Sequence, residues 1–327
     1  MDDDPRLTRP PPFAEDLGHG IFAVDTGFQR AGFDAAYLIV EQGRAAFVDT
    51  GTNLALPRLL GTLEALGLAR EAVDWVIPTH VHLDHAGGAG ALMRALPHAR
   101  LLVHPRGARH MVDPSALVQG ALAIYGQQEM DRSYGEVLPV DPARVDTSSD
   151  GMTLRLAGRE LLLIDTPGHA RHHHCIWDAA SRGWFAGDTF GVSYREFDTA
   201  RGPWMLPPTT PVQFDPVAWR ISIARLLAKA PRAMYLTHFG RVTGVPALAE
   251  QLLAMLDRMV EIGQNESAGA DRHQRLKSAL SALVRQELRA HGCTLDAARI
   301  DALLSLDLEL NAQGIAVWLD RRPATQG

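Results

Sequence analysis

The sequence predicts an α/β protein: sheets packed on each other with helices outside, followed by a helical region. Three observations predict it. Short apolar runs with turn signals between them fill the first part of the chain. Strand-like and helical stretches then alternate up to about residue 245. From Pro246 onward almost every stretch has helical periodicity.

The elements follow in order. Residues 1–17 read as a flexible arm or a strand lead-in, acidic at Met1-Asp2-Asp3-Asp4 and stiffened by Pro10-Pro11-Pro12. Ala36 to Val40 and Ala45 to Val48 are strands, with Gln42-Gly43 as their turn. Leu56 to Leu66 is a helix that Gly67 can cap. Trp75 to Ile77 is strand-like, Ala89 to Leu96 helical, and Leu101 to Val103 a strand. Residues 107–135 hold two helical stretches, including Leu117 to Arg132, suited to a lid or wall. Met152 to Leu156, Leu161 to Ile164 and Gly183 to Ala186 are strands. Residues 193–214 form a long loop rich in Pro and aromatics; Val217 to Lys229 is a helix and Ala233 to Leu236 a strand. The helical tail breaks near Gly263 to Ala270 and at Gly292. The expected organisation is an arm (1–17), a catalytic region (18–245) and a helical C-terminal region (246–327).

Composition narrows the function. At 46% hydrophobic and 21% charged residues the chain is an ordinary globular one, long enough for a sizeable core. Net charge is −6 and there is no Lys/Arg block, so nucleic acid is not an expected partner. No apolar stretch approaches the ~18 residues of a membrane helix. The N-terminus lacks the basic and apolar regions of a secretory signal, so a cytoplasmic protein is expected. Two cysteines, Cys175 and Cys293, do not make a disulfide framework; Cys175 fits a buried strand position.

The chemistry concentrates at His80-Val81-His82-Leu83-Asp84-His85, directly after an apolar strand. Imidazole and carboxylate donors at this spacing suit zinc or a similar transition metal. Gly87 and Gly88 let the chain turn into the next helix. Four other segments end an apolar run in a metal-type residue: Phe47-Val48-Asp49, Leu162 to Asp165 continuing to Thr166-Pro167-Gly168-His169, Trp184 to Asp188, and Met234 to His238. Strand ends meet at the rim of a sheet, where loops carry function on a rigid scaffold.

His80-X-His82-X-Asp84-His85, with Asp49, His169, Asp188 and His238 in this order, resembles the metallo-β-lactamase superfamily. Within it, Thr79 to His85 and Thr166 to His169 are most similar to the glyoxalase II-like hydrolases. The resemblance implies a four-layer αββα sandwich with a dinuclear metal site at one edge. His80, His82 and His169 would hold one metal, Asp84, His85 and His238 the other, and Asp188 would bridge them. Asp49 would stand behind these ligands and orient one of them. The implied cofactors are two divalent ions, zinc first, with iron or manganese as alternatives. The implied reaction is hydrolysis of an ester, thioester, lactone or amide by a metal-bound hydroxide, with Asp84 passing a proton to the leaving group.

Other residues have two readings. Tyr194, six residues after Asp188, can donate to a substrate oxyanion or serve as a core tyrosine. Trp204 to Pro208 can line a pocket or pack as a loop. His172 to His174 read better as a histidine-rich start of a strand than as another metal site, with His172 standing where relatives often have Gly. Arg272, Arg275 and Lys277 can bind an anionic substrate or lie on a solvated helix face. The substrate class is a small molecule, and the tail leaves a homodimer open. A mononuclear-iron oxidoreductase of the persulfide dioxygenase type is the alternative, since His80, His169 and Asp188 would serve it too.

Overall fold

The structure is a computed structural model that describes residues 10–321. The first nine residues of the expected arm and the last six of the tail lie outside the described residues. The chain divides into two compact units. The first comprises residues 1–165, 172–187 and 231–243, and the second residues 166–171, 188–230 and 244–327.

The first unit holds both sheets. β1 (Ala14–Asp16), β2 (Ile21–Asp25), β3 (Ala35–Glu41), β4 (Arg44–Val48), β5 (Val73–Ile77), β6 (Arg100–Val103) and β7 (Val145–Thr147) form a seven-stranded sheet in sequence order. β1 to β4 run antiparallel, and the β4–β5, β5–β6 and β6–β7 pairs are parallel. β8 (Thr153–Leu156), β9 (Arg159–Asp165), β10 (His174–Asp178), β11 (Gly183–Phe185), β12 (Ala233–Leu236) and β13 (Gly240–Thr243) form the second sheet, ordered 13-12-11-10-9-8. Only its β11–β12 pair is parallel. The result is two mixed sheets plus helices, the α/β sandwich the resemblance implies.

Alternation places the core. Tyr37, Ile39, Ala46, Val48 and Ile77 of the first sheet share one buried cluster with Leu161, Leu163, Ile176, Phe185 and Tyr235 of the second. Leu38, Phe47, Val76 and Leu101 point to the opposite face of the first sheet. There they meet α1 (Leu56–Ala65) and α3 (Ala89–Ala95), through Leu59, Leu63, Leu92 and Met93. The turn α2 (Leu83–Ala86) precedes α3. Parallel neighbours need crossovers, which α1 supplies between β4 and β5, and α2 with α3 between β5 and β6. Arg144 terminates α3, its guanidinium donating to the carbonyls of Met93, Leu96 and Ala99.

Two local expectations change. The stretch Leu117 to Arg132 is not one helix. α4 (Ala108–Val112) and α5 (Ser115–Tyr125) come first, and Gly126 at φ +77° then breaks the run. A single turn, α6 (Gln127–Glu129), leads into a π-helical turn over Met130–Tyr134. Gly87 and Gly88 do form the turn between α2 and α3, but not because a positive φ is needed there. Both have ordinary right-handed φ, of −62° and −81°. A Cβ on Gly88 would stand 2.7 Å from the Thr52 carbonyl oxygen, so close backbone approach demands glycine there.

The second unit contains α7 (Pro216–Leu227), α8 (Val245–Asn265), α9 (Arg272–His291), α10 (Ala297–Leu303) and α11 (Ser305–Arg321). Asp215 caps α7 by accepting from the Val217 and Ala218 amides. Gly292 ends α9 in the left-handed region, as expected of a C-terminal glycine. Arg272, Arg275 and Lys277 each pair with a carboxylate, on Asp320, Glu266 and Glu309 respectively. No helix among the described residues is long and apolar enough to cross a membrane.

Candidate metal centre

The expected ligands fall on both units. His80, His82, Asp84, His85, His238 and Asp49 belong to the first, and His169 and Asp188 to the second.

In the first unit they stand at strand ends. Asp49 follows β4, His80 lies three residues past β5, and His238 two past β12. Loops at the carboxyl ends of parallel strands are where α/β sheets place ligand sites. His82 precedes α2, whose single turn carries Asp84 and His85. One ligand atom each from Asp84, His85 and His238 lie within 4.8 Å of one another. Asp84 Oδ2 is 3.5 Å from His238 Nε2 and 3.8 Å from His85 Nε2. His80 Nε2 and His82 Nδ1 converge to 2.8 Å, while His80 Nδ1 faces the Thr79 hydroxyl at 3.2 Å.

Asp49 organises this cluster. It is buried and has φ +58°, a conformation aspartate tolerates better than most residues. Its carboxylate accepts from the Thr79 amide (2.6 Å), the Thr79 hydroxyl (3.0 Å), the Thr237 hydroxyl (2.8 Å) and His85 Nδ1 (3.1 Å). With Nδ1–H donated to Asp49, His85 keeps Nε2 as the ligand atom. Thr79 and Thr237 were not singled out from sequence. Their signal was the repeated pair Thr79-His80 and Thr237-His238.

Asp34 was also missed. It is buried, accepts from the Thr26 hydroxyl at 2.7 Å, and sits in the field of His238 and His85. Burial pushes its carboxyl up to about 7, against the pull of the two histidines.

His172, His173 and His174 are packed. His172 Nδ1 accepts from the Val81 amide at 3.4 Å, and the rings of His172 and His173 stack on His80. His174 donates from Nε2 to the Pro78 carbonyl (2.9 Å) and accepts the Ser148 hydroxyl on Nδ1 (2.8 Å). Burial holds it neutral, with its pKa down at about 3. Cys175 lies buried in β10, its thiol against the Ala186 carbonyl.

In the second unit, His169 Nε2 faces Asp188 Oδ2 at 3.3 Å, and both residues are buried. His169 Nδ1 donates to the Pro208 carbonyl at 2.7 Å, which reserves Nε2 in the way Asp49 does for His85. The Trp204 to Pro208 loop is packed, with Trp204, Met205 and Leu206 buried. Asn311 of α11 fixes it, donating to the Pro207 carbonyl at 3.2 Å and accepting from the Thr209 amide at 2.6 Å. A helix more than a hundred residues downstream thus steadies the carbonyl that orients His169. Tyr194 is buried here, and its hydroxyl donates to Asp307 Oδ1 at 2.7 Å. Donation to a substrate would require exchanging that bond.

The sequence profile of the metallo-β-lactamase superfamily matches residues 30–238. The chain belongs to this superfamily. It is 26% identical to the metallo-β-lactamase fold-containing protein ST1585 of Sulfurisphaera tokodaii over 209 residues, 61% of this chain and 72% of that one. The crystal structure of ST1585 superposes with a TM-score of 0.62, covering 91% of this chain and 98% of that one at 21% identity, a likeness of fold. Identity to the chicken acyl-coenzyme A thioesterase MBLAC2 is 29% over 189 residues, 53% of this chain and 63% of the relative. Hydroxyacylglutathione hydrolase of Salmonella typhi, a glyoxalase II-like relative, is 26% identical over 149 residues, 46% of this chain and 43% of its own. The superfamily is metal-dependent, its relatives here include thioesterases and hydrolases, and the chain carries His/Asp groups able to bind metal. Membership with such relatives supports an enzyme.

Proposed function

We propose that this protein is a dinuclear metal-dependent hydrolase that cleaves an ester, thioester, lactone or amide. The observation that carries the reading is the Asp84, His85 and His238 group, its ligand atoms within 4.8 Å, with Asp49 holding the far nitrogen of His85. Buried imidazoles with one nitrogen reserved, beside carboxylates, fit zinc as a donor set. In this reading His80, His82 and His169 would hold one cation, Asp84, His85 and His238 a second, and the Asp188 carboxylate would be shared between them.

Bound cations would supply a water deprotonated near neutral pH and polarise the scissile carbonyl. The chain's residues do the rest. Asp49 and the Pro208 carbonyl fix the tautomers of His85 and His169. Asp84, partly exposed, would pass a proton to the leaving group. Tyr194 joins as a donor only after leaving Asp307. Among the candidate bonds, the thioesterase relatives favour a thioester. Residues 18–245 are the proposed catalytic region and 246–327 a helical region whose Asn311 supports the His169 loop.

Turnover on a panel of esters, thioesters and lactones should disappear with a strong chelator. It should return on adding zinc. Hydrolysis that survives complete metal removal contradicts the proposal.

A further inference from the structure

We propose that Asp34 is a positioning residue for the Asp84, His85 and His238 group. Its buried carboxylate steadies the His238 ring and lends negative charge to a cation held there. This inference rests on the ligand assignment made in the hydrolase reading.

The backbone fixes Asp34 beside His238. Its two chain neighbours both touch the segment that carries this histidine. The Phe33 ring meets the His238 ring edge-on at 5.4 Å, and the Ala35 amide donates to the Thr237 carbonyl at 2.6 Å. The carboxylate is then held from one side. Oδ2 accepts from the Thr26 hydroxyl at 2.7 Å. Thr26 packs against the turn after Asp49, where a Cβ on Gly51 would stand 2.7 Å from its methyl carbon. Oδ1 is buried and has no hydrogen-bond partner among the described residues. A buried acceptor left bare is rare in folded proteins and calls for a use. Burial is the largest influence on this carboxyl and raises it. Of the charges that act on it His238 is foremost, then His85 and Asp84, the three candidate ligands of one cation.

Packing alone does not ask for a carboxylate at this place. Asparagine has the same shape, would accept from Thr26 in the same way, and would bury no ionisable group. What Asp34 adds is charge. It is the second buried carboxylate that acts on this group, Asp49 being the first through His85 Nδ1. A carboxylate standing behind a ligating imidazole fixes the ring and raises its basicity, which strengthens the metal bond.

The test is Asp34→Asn in the full-length chain, with two measurements. Competition with a chromophoric chelator gives the affinity of each zinc step, and calorimetry gives the melting temperature of the metal-free protein. One zinc step should weaken ~10–100-fold while the other holds. The metal-free variant should melt at or above the parent, because a buried ionisable group has been replaced by a neutral one of the same shape. A packing role cannot move the two readouts in opposite directions. Unchanged zinc affinity in the folded variant, or a loss of affinity that comes with a lower melting temperature, would overturn the inference. Turnover decides only the other reading: a protein that binds zinc and hydrolyses nothing fails as a hydrolase, and the zinc steps still decide Asp34.

Discussion

Asp84→Ala is expected to hold one metal ion fewer than the parent chain and to lose roughly 10²–10⁴-fold in kcat. Both effects come from one carboxylate. Its Oδ2 stands 3.5 Å from His238 Nε2 and 3.8 Å from His85 Nε2, so removing it breaks up the three-residue donor group. The same side chain is the candidate proton donor to the leaving group. Asp84 is 24% exposed, so losing its carboxylate opens little buried space, and the variant should melt close to the parent. Elemental analysis and steady-state kinetics on the folded variant read the two effects separately. An unchanged metal count would remove Asp84 from the ligand set.

The second large effect is expected at Asp49. Asp49→Ala leaves four donors in a buried space without their acceptor: the Thr79 amide, the Thr79 and Thr237 hydroxyls and His85 Nδ1. At ~1–3 kcal/mol for each stranded group, with partial relaxation, the loss should be about 3–5 kcal/mol. Alanine at φ +58° adds about 1 kcal/mol of backbone strain. Metal affinity should fall ~10–100-fold, because His85 loses the partner that fixes its tautomer. Asn at this position keeps the shape and one acceptor oxygen, so its effects should lie between. Denaturant unfolding with and without zinc separates stability from affinity. If affinity is unchanged while stability falls, Asp49 is a turn and packing residue alone.

The candidate ligands could be named because Asp49, the His80 to His85 run, Asp188 and His238 follow apolar runs, and strand ends are readable from one sequence. Asp49 had two readings, a turn former and an orienting carboxylate. The structure gives Asp49 a positive φ and a carboxylate that accepts from Thr79, Thr237 and His85. Side-chain direction is what spacing does not encode. Tyr194 stands six residues after Asp188, yet its hydroxyl reaches Asp307 on α11. The role of Asn311 was equally invisible, because it depends on a helix returning to a loop about a hundred residues earlier. Periodicity missed the short β13, which is mostly outside the core and reads as a loop, while β10, buried on every residue and without alternation, was reached through its histidine-rich start and Cys175. The helix expected across Leu117 to Arg132 failed at Gly126, whose left-handed φ stops it.

The most direct test of the central claim is the metal content per chain, measured by elemental analysis on protein purified without added metal or chelator. The account predicts about two divalent ions, zinc foremost. One iron per chain would contradict it in favour of the mononuclear oxidoreductase. No metal even after reconstitution with zinc would contradict it outright.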